Sequence, residues 1–124
     1  MALQIAIRES SGVTILDLQG RATISDGECD LLRVKLEELR ASGVRRLLLN
    51  LADLTQVDSA GFSVIAKVCV SLRGQGGDLR FVGPKGGRAL MAFKVLHLLD
   101  WIPTFDNEKD AVASFRPKIS VAQD

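Results

Sequence analysis

A chain of 124 residues is long enough for one domain with a core of its own. Hydrophobic residues make up 47% and charged ones 25%, which excludes a disordered or fibrous chain, and sixteen basic against fifteen acidic residues leave no electrostatic footprint for direct nucleic-acid binding. The opening MALQIAIRESSG lacks the features of a secretory leader, and no run reaches the ~18 apolar residues needed for membrane insertion, so a cytoplasmic location is expected.

Leu3, Ile5 and Ile7 alternate, as do Val13, Ile15 and, after a slip, Leu18; Ser10-Ser11-Gly12 between them supplies the turn of an opening β-hairpin. Gly20 is expected to stop the second strand. Ser25 and Asp26 then open a helix, with Glu28 in capping-box position. Its apolar stripe is Cys29, Leu32, Leu36 and Leu39, opposite Arg33, Lys35, Glu37 and Glu38, and Ser42-Gly43 ends it.

Val44 to Leu51 reads as the central strand. A short polar connection leads to Asp58-Ser59-Ala60-Gly61, where a helix begins that runs to about Gln75, with Asp58 or Ser59 as its N-cap. Either choice sets Ser59 at a helix N-terminus beyond the carboxyl end of a strand, where open α/β folds place their function. The helix carries Val64, Ile65, Val68 and Leu72 on one stripe with Phe62, Ala66, Cys69 and Val70 beside it. Deep burial accounts for so wide an apolar arc; the functional alternative is a partly exposed Phe62 that meets a partner.

Gly74, Gly76 and Gly77 terminate that helix, and Leu79 to Val82 forms a short strand. Gly83-Pro84-Lys85-Gly86-Gly87-Arg88 turns the chain into a third helix with Leu90, Met91, Val95 and Leu98 as its core stripe. Glycines with Lys85 and Arg88 before a helix have the composition of an anion cradle, but the Walker spacing is absent and a plain connecting loop is the simpler reading. Pro103 to Phe105 is a last strand, and Asp106 caps a final helix through Phe115. Residues 1–116 are expected to form one domain and 117–124 a flexible tail.

The order β-β-α-β-α-β-α-β-α implies an α/β fold with a mixed, largely parallel sheet and packed helices. Cys29 and Cys69 have neither CxxC spacing nor a neighbouring His, so they read as small core residues, and nothing calls for a metal or cofactor.

The element order and the segment LLLNLADLTQVDSAGF, an apolar strand and polar turn ending in Asp-Ser-x-Gly, resemble the bacterial anti-sigma factor antagonists, which have the STAS fold. The resemblance spans roughly residues 3 to 115 and includes the ending LDWIPTFDNEKDAVASF. It implies that Ser59 is phosphorylated by the antagonist's own target, an anti-sigma factor with Ser/Thr kinase activity. The unphosphorylated form would bind that factor and free a sigma factor for transcription; a metal-dependent phosphatase would restore it. The implied partner surface is Asp58, Ser59, Gly61, Phe62 and Thr23, on a protein that is not itself an enzyme. Two positions depart from the family. Thr23 follows Gly20-Arg21-Ala22 where an Asp is common, and His97 stands where a Gly is usual near the end of the third helix.

Two rival readings accompany this one. A serine hydrolase would need the Gly-x-Ser-x-Gly elbow, whereas Val57 and Gly61 flank the Asp58-Ser59-Ala60 segment, and His97 is the one available base. Alternatively, a STAS-like sensor or scaffold subunit, or a lipid-transport partner, would use Lys85 and Arg88 to hold an anionic ligand.

Overall fold

Leu47, Leu48 and Leu49 are all buried although successive strand residues point to opposite faces, so the strand that carries them must be covered on both sides. In the computed structural model, which describes residues 3–22, 28–85, 87–95 and 101–115, that strand is central in a five-stranded sheet. The strands are β1 (Gln4–Ser10), β2 (Val13–Ala22), β3 (Arg46–Val57), β4 (Asp78–Val82) and β5 (Thr104–Phe105), side by side in that order. β1 runs antiparallel to β2, and every other neighbouring pair is parallel. The expected mixed, largely parallel α/β sheet is therefore what forms.

The helices that lie within the described residues are α1 (Glu28–Ala41), α2 (Ser59–Gly74), α3 (Gly87–Val95) and α4 (Glu108–Ala113). Leu32 and Leu36 of α1, Ile65, Val68 and Leu72 of α2 and Phe93 of α3 join Leu16, Leu18, Leu49 and Phe81 of the sheet in the larger core. On the other face, Val13, Ile15, Leu48 and Val82 pack with Ala111 of α4 and with Phe105 and Phe115. Hence no slip occurs in β2: Val13 and Ile15 serve one core, Leu16 and Leu18 the other.

β2 does not stop at Gly20, and β3 does not stop at Leu51. The two continue together, with Gln19 beside Asp53 and Ala22 beside Val57, through two register shifts. The second irregularity leaves Thr55 of β3 without a β2 partner; beside it Gly20 has φ +99°, a value that favours glycine, and the Thr55 hydroxyl donates to its carbonyl at 2.9 Å. The polar connection after Leu51 is thus strand, with Asp53 and Thr55 exposed and Leu54 and Val57 buried.

The turn that follows α1 is closed at Gly43, whose φ of +102° permits a pair of bonds: Gly43 N–H to the Arg40 carbonyl at 3.2 Å and Val44 N–H to the Leu39 carbonyl at 3.1 Å. The capping box at Ser25 and Asp26 lies outside the described residues, as do Leu98, His97 and the tail. α3 turns Ala89 and Phe93 into the core rather than Leu90 and Met91; Met91 is 63% exposed. α4 is capped by Asn107, not Asp106, through the Asp110 N–H at 2.8 Å, and it stops at Ala113. Arg8 pins α4 to the hairpin, with Nε and Nη2 donating to Asp17 at 2.6 and 2.9 Å and Nη1 to Glu108 at 3.0 Å. Asn50 adds a 2.8 Å bond to the same Asp17 carboxylate. Among the described residues, no helix is long and apolar enough to cross a membrane.

Candidate functional site

The carboxyl ends of β2 and β3 meet at Val57 and Asp58, where the Asp58 N–H donates to the Ala22 carbonyl at 3.3 Å. Asp58 is extended, at φ −114° and ψ −177°, and its Oδ1 accepts the Gly61 N–H at 3.1 Å; its carbonyl takes the Phe62 N–H at 3.1 Å. Asp58 is therefore the N-cap of α2. Ser59 becomes the first helical residue, exposed and relieved of capping. α2 carries no acidic side chain in its first turn, so beyond the cap carboxylate the partial positive charge of its N-terminus is open to a second anion.

The remaining expected site residues divide by burial. Gly61 is buried, and a Cβ there would lie 2.7 Å from the Ala22 carbonyl oxygen and 2.8 Å from Val57 Cγ2. The missing Cβ lets α2 close against the ends of β2 and β3. Phe62 corrects the expectation of a partly exposed aromatic: it is 5% exposed, edge-on to Phe93 with ring centroids 4.6 Å apart. The first turn directs Phe62 inward against α3, which is why the apolar arc of α2 is so wide. The exposed neighbour of Ser59 on this helix is Ser63, one turn on, followed by Lys67 and by Val70 at 59% exposure. Spacing on the face opposite the Ile65, Val68 and Leu72 stripe is the signal that identifies them.

Thr23 lies outside the described residues, though Ala22 before it borders Asp58. Lys85 is exposed in the loop after β4, and its ammonium donates to the Asp106 carbonyl at 3.1 Å; the Arg88 side chain is outside the described residues. Cys69 is a buried free thiol whose pKa burial pushes up, as befits a core residue. The described residues hold no group of three metal-ligating side chains.

An antiparallel hairpin feeding a parallel sheet, α1 to α3 on one face and an exposed serine opening α2, together make a SpoIIAA-like α/β fold. Residues 4–111 match the STAS domain, and the chain belongs to that family. Similar solved structures include an anti-sigma factor antagonist from Mycobacterium paratuberculosis, 17% identical over 94% of this chain and 96% of that one, with a TM-score of 0.82. SpoIIAA in its unphosphorylated form is 16% identical over 91% of this chain and 96% of its own, with a TM-score of 0.68. The Bacillus cell fate determinant SpoIIAA in its phosphorylated form is 18% identical over 93% and 100%, also with a TM-score of 0.68. At these identities the likeness is one of fold. Among curated proteins, nothing matches significantly.

Proposed function

We propose that this protein is an anti-sigma factor antagonist, acting in the cytoplasm as a binding switch rather than as an enzyme. Its unphosphorylated form holds an anti-sigma factor with Ser/Thr kinase activity, and so releases a sigma factor to direct transcription. Phosphorylation of Ser59 by that kinase ends the complex, and a metal-dependent phosphatase restores it. The observation that carries this reading is the division of labour at α2: Asp58 fills the cap, while Ser59 stands exposed at the first helical position of a STAS domain. A serine needed for capping would be poorly placed for modification; this one is not so occupied. The contact surface comprises Ser59 and Ser63, with Asp58 at its edge and Thr23 following the end of β2, while Gly61 and Phe62 support it from within.

A phosphoryl group adds about −1.5 to −2 charges at this point. The helix N-terminus tolerates them, but a complementary partner surface must then bury or accommodate a new anion. A tenfold loss of affinity requires only about 1.4 kcal/mol, within the cost of an unpaired charge at an interface. Intact-mass and peptide-mapping spectrometry of the protein recovered from its native cells, beside a Ser59→Ala variant, tests the reading. A phosphoryl group on Ser59 in the wild type and none in the variant is the expected result. Its absence under both growth and stress would leave Ser59 an unmodified surface residue and remove the switch.

A further inference from the structure

We propose that the cleft between the β4–α3 loop, α3 and β5 binds a small monoanionic carboxylate carried on a short apolar body. This site is independent of the Ser59 reading. Its volume is about 380 Å³, room for on the order of a dozen non-hydrogen atoms at about 30 Å³ each, and in the size range of small-molecule sites.

The floor is rigid for a backbone reason. Gly83, at φ +73°, lies so close to β3 that a Cβ on it would be 3.2 Å from the Ala52 nitrogen, and its own N–H donates to the Phe105 carbonyl at 3.1 Å. Pro84, Leu90 and Phe105 supply apolar walls. Lys85 and Lys94 bring two ammonium groups to the same cleft, and Lys94 follows Leu90 by four residues, on the same side of α3. The bond from Lys85 to the Asp106 carbonyl ties the loop across to the segment before α4 and uses one of three N–H donors, leaving two for a ligand.

Charge and polarity select the ligand class. Lys85 and Lys94 against Asp106 leave the described lining of the cleft with a formal surplus of one positive charge. A carboxylate neutralises that surplus; a phosphate dianion overshoots it. Three apolar walls call for a hydrocarbon or aryl body, which inorganic anions lack. The cleft beside β1 differs in kind: there Arg8, Asp17 and Asn50 already satisfy one another.

The test is an NMR titration of the full chain, following backbone amides, with octanoate as probe, inorganic phosphate as head alone and octanol as body alone. Octanoate should give saturable shifts centred on Leu90, Lys94 and Phe105. Lys85→Glu combined with Lys94→Glu should weaken it at least tenfold, and Ser59→Ala should not change it. Both lysines are exposed, so the double variant should fold; an unchanged amide spectrum away from the cleft verifies this. The proposal is overturned if octanoate shifts do not saturate or map elsewhere, if the double variant binds equally, or if phosphate or octanol binds as tightly as octanoate.

Discussion

The Asp58 carboxylate and the Ser59 hydroxyl are adjacent, and both residue types cap helices well, but only Asp58 accepts the Gly61 N–H. Asp58→Ala should therefore cost about 1 kcal/mol of stability, whereas Asp58→Asn, an equally good cap, should stay within a few tenths. Urea unfolding of the two variants measures this, and equal stability for both would remove the cap from the account. If Asp58→Asn folds normally yet is modified poorly at Ser59, the negative charge serves recognition rather than capping. The same residues mark the limit of what the sequence made legible at this scale. Chemistry could not choose between two good caps; backbone geometry does. Periodicity could not tell whether Phe62 met solvent or another element either, because the answer depends on Phe93, thirty-one positions later, edge-on against its ring.

At the scale of elements, the order of strands and helices was readable from apolar spacing, and the errors lie where pairing reaches beyond the pattern. β3 passes the end of its pairing with β4 at Asn50 and continues against β2 alone, so its polar, one-sided extension looked like a loop. In α3 the expected stripe starts at Leu90 and Met91, whereas Ala89 and Phe93 point inward and Met91 is exposed. α4, with six residues, is too short to persist by itself and depends on tertiary contacts. Its tie to the hairpin has a pH signature. Bonds from Arg8, joined by one from Asn50, hold the Asp17 carboxyl below its ordinary value of 3.8 despite the opposing effect of burial. A depressed carboxylate stabilises the fold above its unfolded-state pKa, and that contribution disappears as pH falls through the folded-state value. Asp17→Asn preserves shape and removes the charge. Because the Arg8 and Asp17 side chains are 43% and 31% exposed, the difference at neutral pH should be only about 1 kcal/mol after solvent screening. Thermal melts followed between about pH 2 and 7 should show the wild type ahead at neutral pH and the gap closing below the ordinary carboxylate range. A gap that persisted unchanged in acid would sink the assignment.

For the whole molecule, the question is whether a charge placed on Ser59 reshapes the fold or only its surface. Ser59 is exposed at the end of α2, so a phosphoryl group needs no cavity and displaces no core side chain. Its attraction to the helix N-terminus opposes its repulsion from the Asp58 carboxylate, each effect falling off within about one turn and worth roughly 0.3–1 kcal/mol at the surface. The phosphorylated and unphosphorylated forms of SpoIIAA both share this chain's fold, each with a TM-score of 0.68. Phosphorylated protein should accordingly keep its stability within about 1 kcal/mol, with amide shifts concentrated between Val57 and Ser63 and at Ala22. Shifts spreading through β4 and α4 would instead indicate a conformational switch. Ser59→Asp places one charge nearer the backbone than a phosphoryl group does and carries less than its roughly −2, so it should weaken partner binding less than phosphorylation. Ser59→Ala should bind persistently because it offers the kinase no hydroxyl. Calorimetric titration of the three forms against the anti-sigma partner should rank Ala tightest, Asp next and phosphoserine weakest; equal affinities would leave the serine without a switching role.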